Sequence, residues 1–135
     1  MSSTVQELRL VLTVKDYERV KAYYRDLLGS AAQEAWEAPD GKIVIFNAGR
    51  ATLEIIDEAQ AERIDAIEVG RRVSGSVRIA LAFGDVHAAA LRGRQHGGSL
   101  VRPPVRTPWQ SLNARVIDPE GWHVTLFENG PATPG

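Results

Sequence analysis

The sequence predicts an α+β fold: two tandem βαβββ modules whose strands form one cupped, mixed sheet. Three observations carry that expectation. Short runs of strand-forming residues alternate with stretches of helical periodicity, first as strand, helix, strands, and then in the same order again. A shift of 69 residues lays Arg9 on Arg78, Leu10 on Ile79, Leu12 on Leu81, Asp16 on Asp85 and Gly29 on Gly98, the mark of a duplicated unit. The 135 residues are 44% hydrophobic, enough for one domain that buries about 70% of its unfolded surface.

The first strand is Leu8 to Val14, apolar and rich in strand formers. Asp16 follows as an N-cap, its carboxylate placed to accept from the free N–H groups of a first helical turn. A helix over Tyr17 to Leu28 carries one apolar stripe of Val20, Tyr23, Tyr24, Leu27 and Leu28. Gly29 ends it in the position after the last turn. Pro39-Asp40-Gly41 turns the chain into a strand over Lys42 to Asn47, and Asn47 to Arg50 turns it again into Ala51 to Ile56. Asp57 to Val69 is charged and alanine-rich, a short surface helix whose Glu58, Glu62, Arg63, Asp65 and Glu68 read as a solvated face. Gly70 to Gly75 is a polar linker.

The second module opens with a strand over Ser76 to Phe83, the N-cap Asp85 and a helix over Val86 to His96, ended by Gly97-Gly98. A proline-rich loop runs from Arg102 to Trp109. Ser111 to Ile117 is a strand, Asp118 to Gly121 a turn, and Trp122 to Glu128 the last strand. The single domain thus divides into module one (7–57), linker (58–75), module two (76–128) and a tail (129–135). Each sheet has one face for its helix, and the other faces meet around a concave site.

Composition removes whole classes of function. Sixteen basic and seventeen acidic residues leave a net charge of −1, so neither nucleic acid nor a membrane surface is an expected partner. With no cysteine there is no disulfide, thiolate metal site or cysteine nucleophile. No apolar run reaches the roughly 18–20 residues of a membrane span, and the polar N-terminus lacks the apolar stretch of a signal peptide. A cytoplasmic protein is the expectation.

The motifs in order resemble the vicinal oxygen chelate superfamily, which includes glyoxalase I, extradiol dioxygenases, fosfomycin-resistance enzymes and bleomycin-resistance proteins. The stretches that carry the resemblance are Val14-Lys15-Asp16 through Tyr23-Tyr24-Arg25-Asp26-Leu27-Leu28-Gly29, Leu53-Glu54-Ile55, Arg78 to Leu81, Pro108-Trp109, and Arg115 through Glu128. They span residues 7 to 128. The resemblance implies four metal-ligand positions, on the first and last strand of each module, and these fall on Arg9, Glu54, Arg78 and Thr125. Only Glu54 is an ordinary ligand. Arginine stays protonated and has no lone pair to give, and threonine is a poor donor to zinc, nickel or manganese. Glu128, three residues past Thr125, points to the opposite face of its strand and does not replace it. No metal and no cofactor is therefore expected, and the chain stands closest to the metal-free bleomycin-resistance-like branch.

The remaining candidates follow from that placement. Arg9 and Arg78 form an anion-binding pair in the cavity, with Glu54 pairing one arginine or receiving a basic group; the competing reading is a neutralising salt bridge that merely fills the former metal site, or one arginine turned outward. Trp109 lines the groove in the resembling drug-binding proteins; otherwise it anchors its loop on the core. The glycine usual after Pro-Trp is Gln110 here. Trp36, Phe46 and Trp122 are core aromatics or further lining. His87, His96 and His123 do not cluster, and only His123, on the strand face of Thr125, can reach the cavity. No catalytic residue is identified. The function expected is a metal-independent protein that sequesters a small, partly aromatic compound between its modules. The alternatives are a lyase, isomerase or dioxygenase with a non-standard or metal-dependent site, and a sensor or subunit whose cavity is filled by its own side chains. A homodimer is expected.

Overall fold

A computed structural model describes residues 4–29 and 31–129. The N-terminal Met1 to Ser3 and nearly all of the expected tail, residues 130–135, lie outside the described residues. The element order is β1 (Val5–Val14), α1 (Tyr17–Leu28), β2 (Ala32–Ala38), β3 (Gly41–Ala48), β4 (Ala51–Asp57) and α2 (Glu58–Val69). There follow β5 (Val77–Phe83), α3 (Val86–Gln95), β6 (Ser99–Leu100), β7 (Val105–Arg106), β8 (Leu112–Ile117) and β9 (His123–Glu128). All nine strands join one mixed sheet in the order β2-β3-β4-β1-β5-β9-β8-β6, with β7 beside β8.

The duplication is visible in the register at the centre. β1 and β5 run antiparallel with Leu10 opposite Ile79, and the 69-residue shift exchanges those two residues. The same shift converts the pair Arg9–Ala80 into Val11–Arg78, which is also paired. A local two-fold axis therefore passes between the modules. Each module sets its first strand parallel to its last: Val11 lies beside Glu54, and Ala80 beside Thr125. Arg9 and Arg78 are thus equivalent by the axis, and so are Glu54 and Thr125.

Alternation along the strands sorts two faces. On the outer face α1 packs on β3 and β4, burying Tyr17, Val44, Phe46, Leu53 and Ile55. There too α3 packs Val86, Ala89 and Ala90 on Ala114, Val116 and Leu126. The helix starts are as expected: the Asp16 carboxylate accepts from the Arg19 N–H (3.3 Å), and Asp85 from the Ala88 N–H (3.0 Å). Gly29 closes α1 at φ 70°, a conformation glycine adopts without a Cβ clash.

Four expectations are corrected. Residues 32–38 form a strand that the pattern did not announce, because Ala-Gln-Glu-Ala-Trp-Glu-Ala lies at the sheet edge and is mostly exposed, with no buried apolar face to reveal it. On α1, Tyr23 and Leu27 are exposed, so the buried stripe is narrower than drawn. The proline-rich stretch holds the two-residue strand β7, and β6 precedes it. Most consequential is α2. It is not a surface helix, for it lies on the inner face against β1, β3, β4 and β8, with Ala61 and Ile64 in a core of Val11, Ile43, Ile45, Ile56, Ala80, Ala82 and Phe127. Asp65 and Glu68, read as solvated, are 0% and 2% exposed, because buried partners on β8 and β9 neutralise and hydrogen-bond them.

Candidate functional site

The inner face at the module junction is polar, and period two explains why. β1 presents Arg9 and Val11 inward, β4 Glu54 and Ile56, β5 Arg78 and Ala80, β9 Thr125 and Phe127, while β8 presents Asn113 and Arg115. α2 closes this floor from above. What is left is a pocket of about 20 Å³ lined by Arg9, Glu54, Arg78, Thr125, Glu68 and Trp109, among others. A water molecule needs about 10–15 Å³ on this measure, so the pocket admits one small species.

Five of the six candidate residues therefore converge on one pocket. The sixth, His123, sits two residues before Thr125 on the same face but outside that lining: its Nδ1 is 3.0 Å from Nη1 of Arg115. Glu128 faces outward and accepts the Val86 N–H at the start of α3 (2.8 Å). Trp36 and Trp122 are exposed, and Phe46 is buried under α1, so none of the three lines the pocket.

The two arginines differ sharply. Arg9 bonds Glu54 Oε1 (3.3 Å) and Glu7 Oε2 (2.9 Å), and lies over the Phe127 ring. Burial works to lower its pKa, but Glu54 and Glu7 outweigh that and raise it. Arg78 has one hydrogen bond, Nη1 to Thr125 Oγ1 (2.7 Å). Among the described residues no carboxylate oxygen lies within 4.0 Å of it. Burial lowers its pKa against the pull of Glu68 and Glu54. Glu54 is likewise pushed upward by burial, against Arg9 and Arg78.

Trp109 is placed by a tight turn. The Gln110 N–H donates to the Thr107 carbonyl (2.9 Å), the Thr107 N–H to the Ser111 carbonyl (2.8 Å), and the Ser111 N–H to Thr107 Oγ1 (3.1 Å). Pro108 pre-sets the turn, and Gln110 holds φ 73°, the left-handed region where glycine is at ease. The glycine position is thus kept in shape while its residue type is lost. The indole is not a freely exposed platform. It packs against the inner core, Arg63 lies 5.3 Å from its ring centroid, and its Nε1 is buried without a partner among the described residues.

Sequence reasoning missed the residues that hold α2 down. Arg115, fully buried, bonds Asp65 (2.9 Å) and Glu68 (3.0 Å). Glu68 also accepts from Asn113 (2.8 Å) and Thr125 (2.8 Å). Asp65 accepts from the Val73 and Ser74 N–H groups, both 2.8 Å. Burial would raise the Asp65 pKa, but these bonds and Arg115 hold it well below the usual carboxylate range. The available signal was polar Ser111, Asn113 and Arg115 at period two on one strand, opposite Asp65 and Glu68 one turn apart on a helix.

A metal does not fit this donor set. Two of the four positions, Arg9 and Arg78, cannot ligate, Thr125 is a poor donor, and among the described residues no three histidines or carboxylates converge to hold a metal ion. Two guanidinium groups on the floor would repel a cation at about 4 kcal/mol per unit pair, for 4 Å and an effective dielectric of 20. No helix among the described residues is long and apolar enough to cross a membrane.

Comparison with known proteins places this geometry. Residues 8–126 match the model of the glyoxalase/bleomycin resistance protein/dioxygenase superfamily. A lactoylglutathione lyase of Haemophilus influenzae is 26% identical over 127 residues, covering 93% of each chain. A lactoylglutathione lyase of rice is 25% identical over 128 residues, and this chain spans 43% of its length. Among solved structures, a hypothetical protein from Bacillus halodurans aligns with a TM-score of 0.70 at 14% identity, covering 98% of this chain and 99% of that one. Methylmalonyl-CoA epimerase from Mycobacterium tuberculosis aligns with a TM-score of 0.64 at 16% identity, covering 94% and 88%. At those identities the likeness is one of fold.

Proposed function

Since the chain belongs to the glyoxalase/bleomycin resistance protein/dioxygenase superfamily, we propose that it uses that superfamily's inner site to bind a small molecule without a metal. The observation that carries this reading is the convergence of Arg9, Glu54, Arg78 and Trp109 on one pocket at the module junction. The ligand is partly aromatic, stacks on Trp109 and makes a charge-assisted hydrogen bond to an arginine or Glu54. The pocket has room for about one water-sized or monatomic species, so Trp109 or α2 must move for such a ligand to enter. Two copies of the chain associate through the outer face.

The test is a ligand screen by tryptophan fluorescence on dialysed protein, with elemental analysis alongside. Trp109→Ala is expected to weaken an aromatic hit by roughly 1–3 kcal/mol. Because the indole packs on the core, the same variant is also expected to melt lower than the parent. One tightly held equivalent of zinc, nickel, manganese or iron overturns the metal-independent reading. A screen without hits favours a sensor or subunit whose cavity is filled by its own side chains.

The second reading is an enzyme, a lyase or isomerase. Its support is the near full-length similarity to the Haemophilus lactoylglutathione lyase. Formation or cleavage of lactoylglutathione by purified protein, the reaction named for that relative, would establish it. Such chemistry would need donors other than the four positions above.

A further inference from the structure

Three arginines are buried on the inner face, and two of them are paired twice over. Arg9 holds Glu7 and Glu54; Arg115 holds Asp65 and Glu68. Arg78, 6% exposed, has no carboxylate within reach among the described residues and spends one N–H on Thr125. That threonine is neutral and cannot serve as a counter-charge; its own proton goes to Glu68. A buried cation left in this state is costly unless something pairs with it. A second donor belongs to a residue that lines the same pocket: the Trp109 Nε1–H, buried and without a partner among the described residues. Two residues with unmatched donors, one of them charged, thus border a space of about 20 Å³.

We propose that Arg78 and the indole N–H of Trp109 form a buried monoanion site. The inference deepens the binding reading above and rests on it for the location: the group a ligand must bring here is a singly charged acceptor. Nearby carboxylates set the charge. Glu68 has both oxygens engaged, by Arg115, Thr125 and Asn113, and Glu54 is held by Arg9. Both still repel added negative charge, so a monoanion is accepted and a dianion such as sulfate is not. Volume separates two sources of that chemistry. A halide ion fits the pocket as it stands, whereas the carboxylate of a small organic acid enters only when Trp109 or α2 moves.

The experiment follows the Trp109 indole ¹⁵N–¹H resonance, assigned with Trp109→Phe, while sodium bromide, sodium formate or sodium sulfate is titrated in at constant ionic strength. A saturable shift with bromide or formate but not with sulfate, lost in Arg78→Met, is expected. Bromide alone identifies a closed halide site; formate with a broadened or displaced indole signal identifies carboxylate entry. Arg78→Lys, which keeps the charge and loses the fork, should weaken the shift at least tenfold and serves if the methionine variant does not fold. No saturable shift with either monoanion, or the same shift in both Arg78 variants, overturns the site. A bromide shift with no organic hit would leave the site standing and count against the sequestration reading; a hit that leaves the Trp109 resonance still would do the reverse.

Discussion

Arg115 is the residue on which the inner face turns. It is fully buried and binds two carboxylates on α2 and the ring of His123. Removing it leaves Glu68 without its paired cation and Asp65 with Arg72 alone (3.3 Å), so Arg115→Ala is expected to lower unfolding stability by about 3–5 kcal/mol, read by urea denaturation. Its neighbour His123 has a pKa shifted by its surroundings. Burial first, and then Arg115, lower its pKa below 6.5 in the folded chain; Arg78 adds to this and Asp65 opposes it. The unfolded chain therefore takes up the proton first as pH falls, and stability drops from about pH 6.5 downward until the folded histidine also protonates. Replacing His123 by Gln should flatten the fall in melting temperature between pH 7.5 and 5.5. An unchanged slope would show that other groups set it.

At the scale of elements, α2 converts an open concave sheet into a closed one. Its docking depends on where it starts. The Asp57 carboxylate accepts the Gln60 N–H (2.9 Å) and the Lys42 N–H (3.1 Å), capping the helix and fastening it to β3 at once. Gly41 allows the approach, since a Cβ there would collide with the Gln60 side chain and come within 3.2 Å of its Cα. Asp57→Ala should cost about 1–2 kcal/mol, the upper part of the range for a cap, because a strand N–H loses its acceptor as well. Hydrogen exchange should then show faster exchange across α2 than across α1. Equal exchange in the two helices would mean that Ala61, Ile64 and the Arg115 pairs hold α2 without its cap.

For the molecule as a whole, the uncovered surface is the outer face at the junction, between α1 and α3. Leu8 (47%), Leu10 (39%) and Val77 (44%) are exposed there, and a groove of about 460 Å³ runs past Leu8, Leu10, Leu12, Tyr24 and Ile79. The cross-strand pairs Leu8–Leu81, Leu10–Ile79 and Leu12–Val77 are symmetric about the local axis, and the proposed isologous dimer would use this patch. Light scattering should give a dimer at tens of micromolar, and Leu10→Glu should give a folded monomer. A parent chain that stays monomeric, or a variant that stays dimeric, would place the contact elsewhere or remove it.

Periodicity and offset made much legible before any coordinates. The Arg9–Arg78 equivalence, both Asp N-caps and Gly29 are local or repeat-borne signals, and local signals survive folding because they rest on backbone geometry and period two; the junction positions Glu54 and Thr125 come from the family resemblance instead. β2 was illegible because an exposed edge strand has no apolar alternation. The depth of α2 was illegible for a related reason: Asp65 and Glu68 look solvated until Arg115, about 50 residues on, is brought against them. A charge on a helix states no preference for water over a buried counter-charge; only the tertiary structure decides which it meets. The same is true of Arg78. Its inward position was set by strand parity and repeat, but its lack of a carboxylate is a property of how α2 settles on the sheet, with Glu68 turned to Arg115 and Thr125 instead.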